Sequence, residues 1–167
     1  AAVIEGSNSI ILTDTDLSSS MEDKWGVMLY QSFSGDAEGS EGVFTMTGGS
    51  LVYTSEEGPL FFVTNATGSI TLSDVEVTAT SGVLVLASAT ERWGTSGANG
   101  GHVILMADDQ VLAGDLLADN ISTLDITLQN GSSLTGAINA DNMAQEAALT
   151  LDADSTWMLT ADSYLTT

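Results

Sequence analysis

Two stretches decide the fold: "PLFFVTN" (59–65) and "GVLVLAS" (82–88). Each opens on Pro or Gly, runs through apolar residues, and closes on small or polar ones. The pattern recurs as "GVMLYQS" (26–32), "GDLLADN" (114–120), "GAINADN" (136–142) and "ADSYLTT" (161–167), so successive starts lie 22 to 33 residues apart. Ahead of each lies an alternating segment, such as "VFTMTGGSLVYT" (43–54) or "SITLSDVEVT" (69–78). Period-two reading points Ile10/Leu12, Phe44/Met46, Ile70/Leu72, Val103/Leu105, Ile126/Leu128 and Leu149/Leu151 inward.

A repeat of roughly 22 to 25 residues belongs to a stacked-repeat architecture. The leucine and asparagine frame of leucine-rich repeats is absent, and only "NMAQEAALT" (142–150) hints at helical periodicity. β-Branched runs with Gly, Asn, Asp and Ser turns predict an all-β chain. The expected form is a parallel β-helix, a solenoid of about six coils with three short strands each. Two longer steps carry inserted loops, "FSGDAEGSEG" (33–42) and "ATERWGTSGANGG" (89–101). Loops on a rigid scaffold are where binding concentrates.

Composition excludes several function classes. The chain has 23 acidic residues against two basic ones, a formal net charge of −21, and no cysteine. Yet 43% of residues are apolar, too many for an acidic disordered tail. Nucleic acid is a poor partner, because its binding needs Lys and Arg to displace counterions. No apolar run is long enough for membrane insertion. The chain begins at Ala1, which suggests a processed or excised piece: one domain over 1–167, a module of a longer surface protein. Such a charge suits a secreted or cell-surface location.

The two bases, Lys24 and Arg92, each stand directly before a Trp-Gly pair. One reading is a local ion pair that pins a loop. The other is a glycan platform, since aromatic faces stack on sugar rings while Arg and Asp bond hydroxyls. Trp93, Arg92, Trp25 and Tyr30 are its candidates; Trp157, inside an alternating segment, reads as a core or capping aromatic. Aligning the repeats stacks Ser32, Asn65, Ser88, Asn120, Asn142 and Thr167 as a polar ladder, with Asp119 over Asp141 in the column before. Two carboxylates one strand apart repel, and a calcium ion relieves that cost. Asp119, Asp141, Asp36, Glu38 and Glu41 are the candidate ligands. Further oxygen clusters are Asp14/Asp16, Asp108/Asp109 and Asp152/Asp154.

The combination "KWGVMLYQSFSGDAEG" (24–39), "GPLFFVTN" (58–65) and "RWGTSGANGG" (92–101) resembles secreted bacterial β-helix proteins known as carbohydrate-binding domains. The resemblance covers nearly the whole chain and rests on overall pattern. It implies a right-handed, pectate-lyase-like β-helix, display at the cell surface, and binding of polysaccharide and calcium.

Enzymatic elimination needs a base beside calcium, and only Lys24 and Arg92 offer strong bases. Asp108, Asp109 and His102 only superficially match polygalacturonase-type hydrolases, so the reading leans away from catalysis. Ice binding would use an outward column of Thr45, Thr71, Thr127 and Thr150, which Ile104 interrupts. The expected function is therefore a non-catalytic polysaccharide-binding or adhesion module assisted by calcium. The alternative is structural, a filament or stalk formed by head-to-tail self-association.

Overall fold

The computed structural model describes residues 2–32 and 39–166. Among the described residues fifteen strands follow one another, and every pairing between them is parallel. In chain order they are β1 (Ala2–Glu5), β2 (Ser9–Ser19), β3 (Val27–Tyr30), β4 (Glu41–Tyr53), β5 (Phe61–Thr64), β6 (Ala66–Ser73), β7 (Glu76–Ala79), β8 (Val83–Ala87), β9 (Gly101–Asp108), β10 (Val111–Ala113), β11 (Asp115–Ala118), β12 (Thr123–Gln129), β13 (Ser133–Thr135), β14 (Glu146–Leu151) and β15 (Thr156–Met158). Three sheets result. One has seven strands, ordered β14-β12-β9-β6-β4-β2 with β7 on the far half of β4; one has five, β1-β3-β5-β8-β11; one has three, β10-β13-β15.

All-β parallel pairing follows from the repeat, because like segments one repeat apart are the ones that meet. The six-coil right-handed parallel β-helix expected from the sequence is corrected. Three unequal, separate sheets stand in place of one closed solenoid. The premise of three short strands per repeat fails in the N-terminal half. There β2 and β4 run as single strands of 11 and 13 residues, and β7 joins the large sheet. The small sheet exists only from Val111 onward. The physical reason lies at the bends. Asp14 and Gly48 take left-handed backbone within β2 and β4 without ending them, whereas the same position at Asp109 and Asn130 falls between two strands. Turn chemistry marks a bend but does not say whether pairing survives it.

One apolar core lies between the sheets. The large sheet contributes Phe44, Met46, Ile70, Leu72, Leu105, Ile126 and Leu128; the five-stranded sheet contributes Leu29, Phe61, Val63, Val85 and Leu116. Phe44 and Phe61 meet edge to face at 5.5 Å. Gly42 and Gly68 sit where the sheets approach: a Cβ at Gly68 would press on Val63. The inward set agrees with the alternation on the inner strands. On the edge strands Ile10, Leu12 and Leu149 are only half-buried and Leu151 is exposed, because no further strand covers them. Across β9 the alignment is also shifted by two residues, since Leu105 rather than Val103 faces Ile70. The polar ladder is also displaced by one. Asn65 follows Thr64, which pairs with Tyr30, and its amide donates to the Gln31 carbonyl, so its neighbour is Gln31 and not Ser32. Thr167 lies outside the described residues.

Candidate functional site

The five-stranded sheet shows two faces of unlike kind. Its core face is Ile4, Leu29, Val63 and Ala87. Alternation puts Val3, Met28, Phe62, Leu86 and Leu117 in one row of the other face, strand beside strand. Met28 and Phe62 stand outside the core cluster yet are 2% and 5% exposed, so something covers them. Over Phe62 lies Trp25, ring centroids 5.1 Å apart at 30°. At the other end of β3, Tyr30 meets Trp93, centroids 4.9 Å apart at 56°.

Both bases take the same role here. The Lys24 ammonium lies 5.9 Å from the Trp25 ring centre, and the Arg92 guanidinium 4.8 Å from that of Trp93. Each cation sits over the tryptophan that follows it, an attraction of about 0.5–1 kcal/mol at exposed sites. The structure therefore brings Tyr30, Arg92 and Trp93 together and leaves Trp25 at the far end of the strand. The Tyr30 hydroxyl donates to Glu5 Oε2 at 3.2 Å. Burial pushes the Tyr30 phenol up, with the Glu5 carboxylate adding to the rise and Arg92 opposing it. The Ser32 hydroxyl, followed by Tyr30, holds the Glu5 carboxyl below its usual range. With Arg92 over its ring and Tyr30 packed on it, Trp93 works as a clamp.

The clamp holds the loop of residues 89–100. Asn99, 3% exposed, donates from Nδ2 to the carbonyls of Thr90 and Trp93, both at 2.8 Å, and its carbonyl accepts from the Asn65 amide. Gly94 has left-handed backbone, and a Cβ there would strike Asn65 Oδ1. Thr64 Oγ1, Thr90 Oγ1 and Asn99 Oδ1 are enclosed without a protein partner, the kind of group that ordered water satisfies. Asn99 is a key residue that sequence reading missed; inside "GANGG" (97–101) it carries no signal beyond a turn.

This loop also walls the seven-stranded sheet. A cleft of about 250 Å³ lies between Ala98 and Gly100 of the loop and Ser40, Asn65 and Thr67. A second, of about 270 Å³, continues over His102, Ile104, Thr123, Asp125 and Glu146. They share Thr67 and His102, so a shallow groove crosses β6, β9, β12 and β14, roughly 15 Å at the spacing of strands. Its floor follows a register row, Thr67–His102–Thr123–Glu146, which Glu41 of β4 continues outside the clefts. His102 Nδ1 lies 3.1 Å from Thr123 Oγ1. Beside it runs Ser9–Val43–Ser69–Ile104–Asp125–Ala148, and beyond that Ile11–Thr45–Thr71–Met106–Thr127–Thr150. Met106, and not Ile104, thus interrupts the outward threonines.

The metal candidates divide. Asp36 and Glu38 lie outside the described residues. Glu41 opens β4 and accepts the Ser69 hydroxyl on the outer face of the large sheet. Asp119 serves the backbone: Oδ2 accepts from Ala89 N at 2.8 Å, while Oδ1 accepts from Ile121 N and the Ser122 hydroxyl. Asp141 is exposed, and pairing toward it stops at an isolated bridge between Leu116 and Ile138. The buried left-handed Asn139 then turns the chain, its Oδ1 accepting from Met143 and Ala144. Among the described residues no group of three or more His, Asp or Glu side chains is gathered to hold a metal.

The other acidic pairs share one line across the sheet, which the sequence hid. Asp14, Gly48, Asp74, Asp109 and Asn130 all have left-handed backbone and follow one register row, Thr13–Thr47–Ser73–Asp108–Gln129. Asp14/Asp16, Asp108/Asp109 and Asp152/Asp154 therefore lie along one corner line of the large sheet, which crosses it from the β2 edge to the β14 edge. Amides separate its carboxylates: Asn130 Nδ2 and Gln129 Nε2 donate to Asp108, and Asn130 N donates to Asp152. The Ser155 hydroxyl, followed by the amides of Asn130 and Asp154, holds the Asp152 carboxyl below its usual range.

Comparison with family models, with curated proteins and with solved structures returns no match for this chain.

Proposed function

We propose that this chain is a non-catalytic polysaccharide-binding module whose binding surface is the groove on the outer face of the seven-stranded sheet. One observation carries the reading: two clefts that share Thr67 and His102 in their walls adjoin across four strands. An extended chain of sugars matches that shape, and strand-by-strand repetition supplies hydroxyl, imidazole and carboxylate partners at regular intervals. Half-exposed Ile104 gives the apolar ring faces a contact. In this reading Trp93, Arg92 and Tyr30 hold the loop that walls the groove, and Trp25 covers the other sheet. Secretion and surface display go with the proposal. Calcium enters as a counter-ion for the acidic corner of the large sheet.

The test is titration of soluble glycan hexamers against the wild type, Thr67→Val with His102→Ala, and Trp93→Ala. The double variant should lose binding with its melting temperature kept. If Trp93→Ala loses binding at unchanged melting temperature and the double variant binds normally, the tryptophan platform is the site and the groove is not.

A second reading has its own observation. At the β14 and β15 edges, Leu151, Met158, Leu159, Tyr164 and Leu165 are exposed, and at the opposite edge so are Val3 and Ile11. Open parallel edges with apolar side chains invite another copy. Both edges also carry acid, Asp14 and Asp16 at one and Glu146, Asp152 and Asp154 at the other, so head-to-tail association should appear only when salt screens them. Light scattering across a salt series decides it.

A further inference from the structure

We infer that the groove selects polysaccharides of amino sugars, chains bearing ammonium groups, over neutral and uronate chains. The inference rests on the glycan reading above and adds the ligand's charge to it. Asp125 and Glu146 line the groove on neighbouring strands, and both are exposed. Glu41 continues the same register row on β4, beyond the residues that line the clefts. A chain with 23 acids and two strong bases has few means of offsetting them, and both bases are committed elsewhere. Lys24 and Arg92 lie over Trp25 and Trp93, against the outer face of the five-stranded sheet. Among the described residues neither cleft is lined by Lys or Arg, and the imidazole of His102 has its Nδ1 engaged with Thr123.

A carboxylated sugar laid along this floor would bring its charge against Asp125 and Glu146 with no Lys or Arg to receive it. A sugar ammonium would donate charge-assisted hydrogen bonds to the same two groups. Neutral chains fall between, gaining only ordinary hydrogen bonds to Thr67, Thr123 and the carboxylates.

General attraction of a polycation to an acidic protein must be separated from binding in the groove. We would titrate a glucosamine hexamer, cellohexaose and a galacturonate hexamer against three proteins at one mildly acidic pH: the wild type, Asp125→Asn with Glu146→Gln, and Asp14→Asn with Asp74→Asn. The two double variants lose the same charge at different places. The glucosamine hexamer should bind the wild type about tenfold more tightly than cellohexaose, and the groove variant should lose roughly that factor while the corner variant keeps it. Equal losses in both variants overturn the inference, since the attraction is then unspecific. Tighter binding of cellohexaose or the uronate overturns it too, while leaving a glycan groove in place. Binding of none of the three overturns both the inference and the function it rests on.

Discussion

The five-stranded and seven-stranded sheets share one core, but their outer faces have opposite fates. On the smaller sheet Met28, Phe62 and Thr64 are buried, with Trp25 packed on Phe62 and Trp93 of the 89–100 loop packed on Tyr30, and only the edge strand leaves Val3 exposed. On the larger sheet Ile104 and Met106 remain 43% and 38% exposed, and His102 stands in the open. Exposure of that kind is where a ligand can act, whereas a sealed face contributes to stability. Trp25 and Trp93, the aromatic candidates of the sequence, are half-buried against the smaller sheet.

The sharpest way to break this comparison is Phe62→Ala. Removing a buried ring under Trp25 should cost about 3–5 kcal/mol in chemical denaturation. Ile104→Thr, at an outward apolar residue of the large sheet that is 43% exposed, should stay within about 0.5 kcal/mol. Comparable costs would erase the distinction between the faces.

Trp93→Ala comes next. Its half-buried ring contacts Tyr30 and carries Arg92, so its loss should cost about 2 kcal/mol and expose the loop at residues 89–100 to proteolysis. Arg92→Ala should cost only about 0.5–1 kcal/mol. A stable Trp93→Ala with an intact loop would return Trp93 to the list of free platforms.

A smaller effect is expected at the acidic corner of the open sheet. Asn130→Asp replaces an amide donor to Asp108 with a carboxylate, and should cost about 1 kcal/mol at neutral pH. Millimolar calcium should restore more of that loss than sodium at equal ionic strength, read as melting temperature. Equal recovery by both salts would mean screening alone.

The smallest effect concerns pH. A hydrogen bond with Asp23, with that residue's charge, raises the Glu57 carboxyl above its ordinary 4.5. The folded state thus binds the extra proton between that value and its raised one. The stabilisation from Glu57 is complete below 4.5 and fades as pH climbs through the raised pKa. Glu5 and Asp152 act oppositely, stabilising above their ordinary values and losing that effect as pH falls through their lowered ones. Glu57→Gln should therefore raise the melting temperature at pH 7 and leave it unchanged at pH 4. A rise at both values would exclude the shared proton as the cause.

Much of the core was legible. Alternation put Phe44, Met46, Ile70, Leu72, Ile126 and Leu128 inward, and they are buried there. Parallel pairing followed from the repeat. Register was less legible, because a strand shifted by two residues keeps its face, as at Leu105, and one shifted by one residue at its end keeps its turn, as at Asn65. The number and closure of the sheets were not legible. A left-handed Asp14 and a left-handed Asp109 look alike in sequence, yet one lies within a long strand and the other between two.

Composition and period by themselves determined that this chain is all-β, that like segments pair in parallel, and that its surface repels anions. Those properties depend on residue type and spacing alone. Tertiary structure decided what the scarce side chains do. Arg92 meets Tyr30 through Trp93 only because β3 passes beneath the loop at 89–100. Thr67, His102 and Glu146 form one floor only because register aligns β6, β9, β12 and β14. Contacts between residues so far apart in the chain depend on which strands become neighbours and at what offset, and local pattern does not encode that.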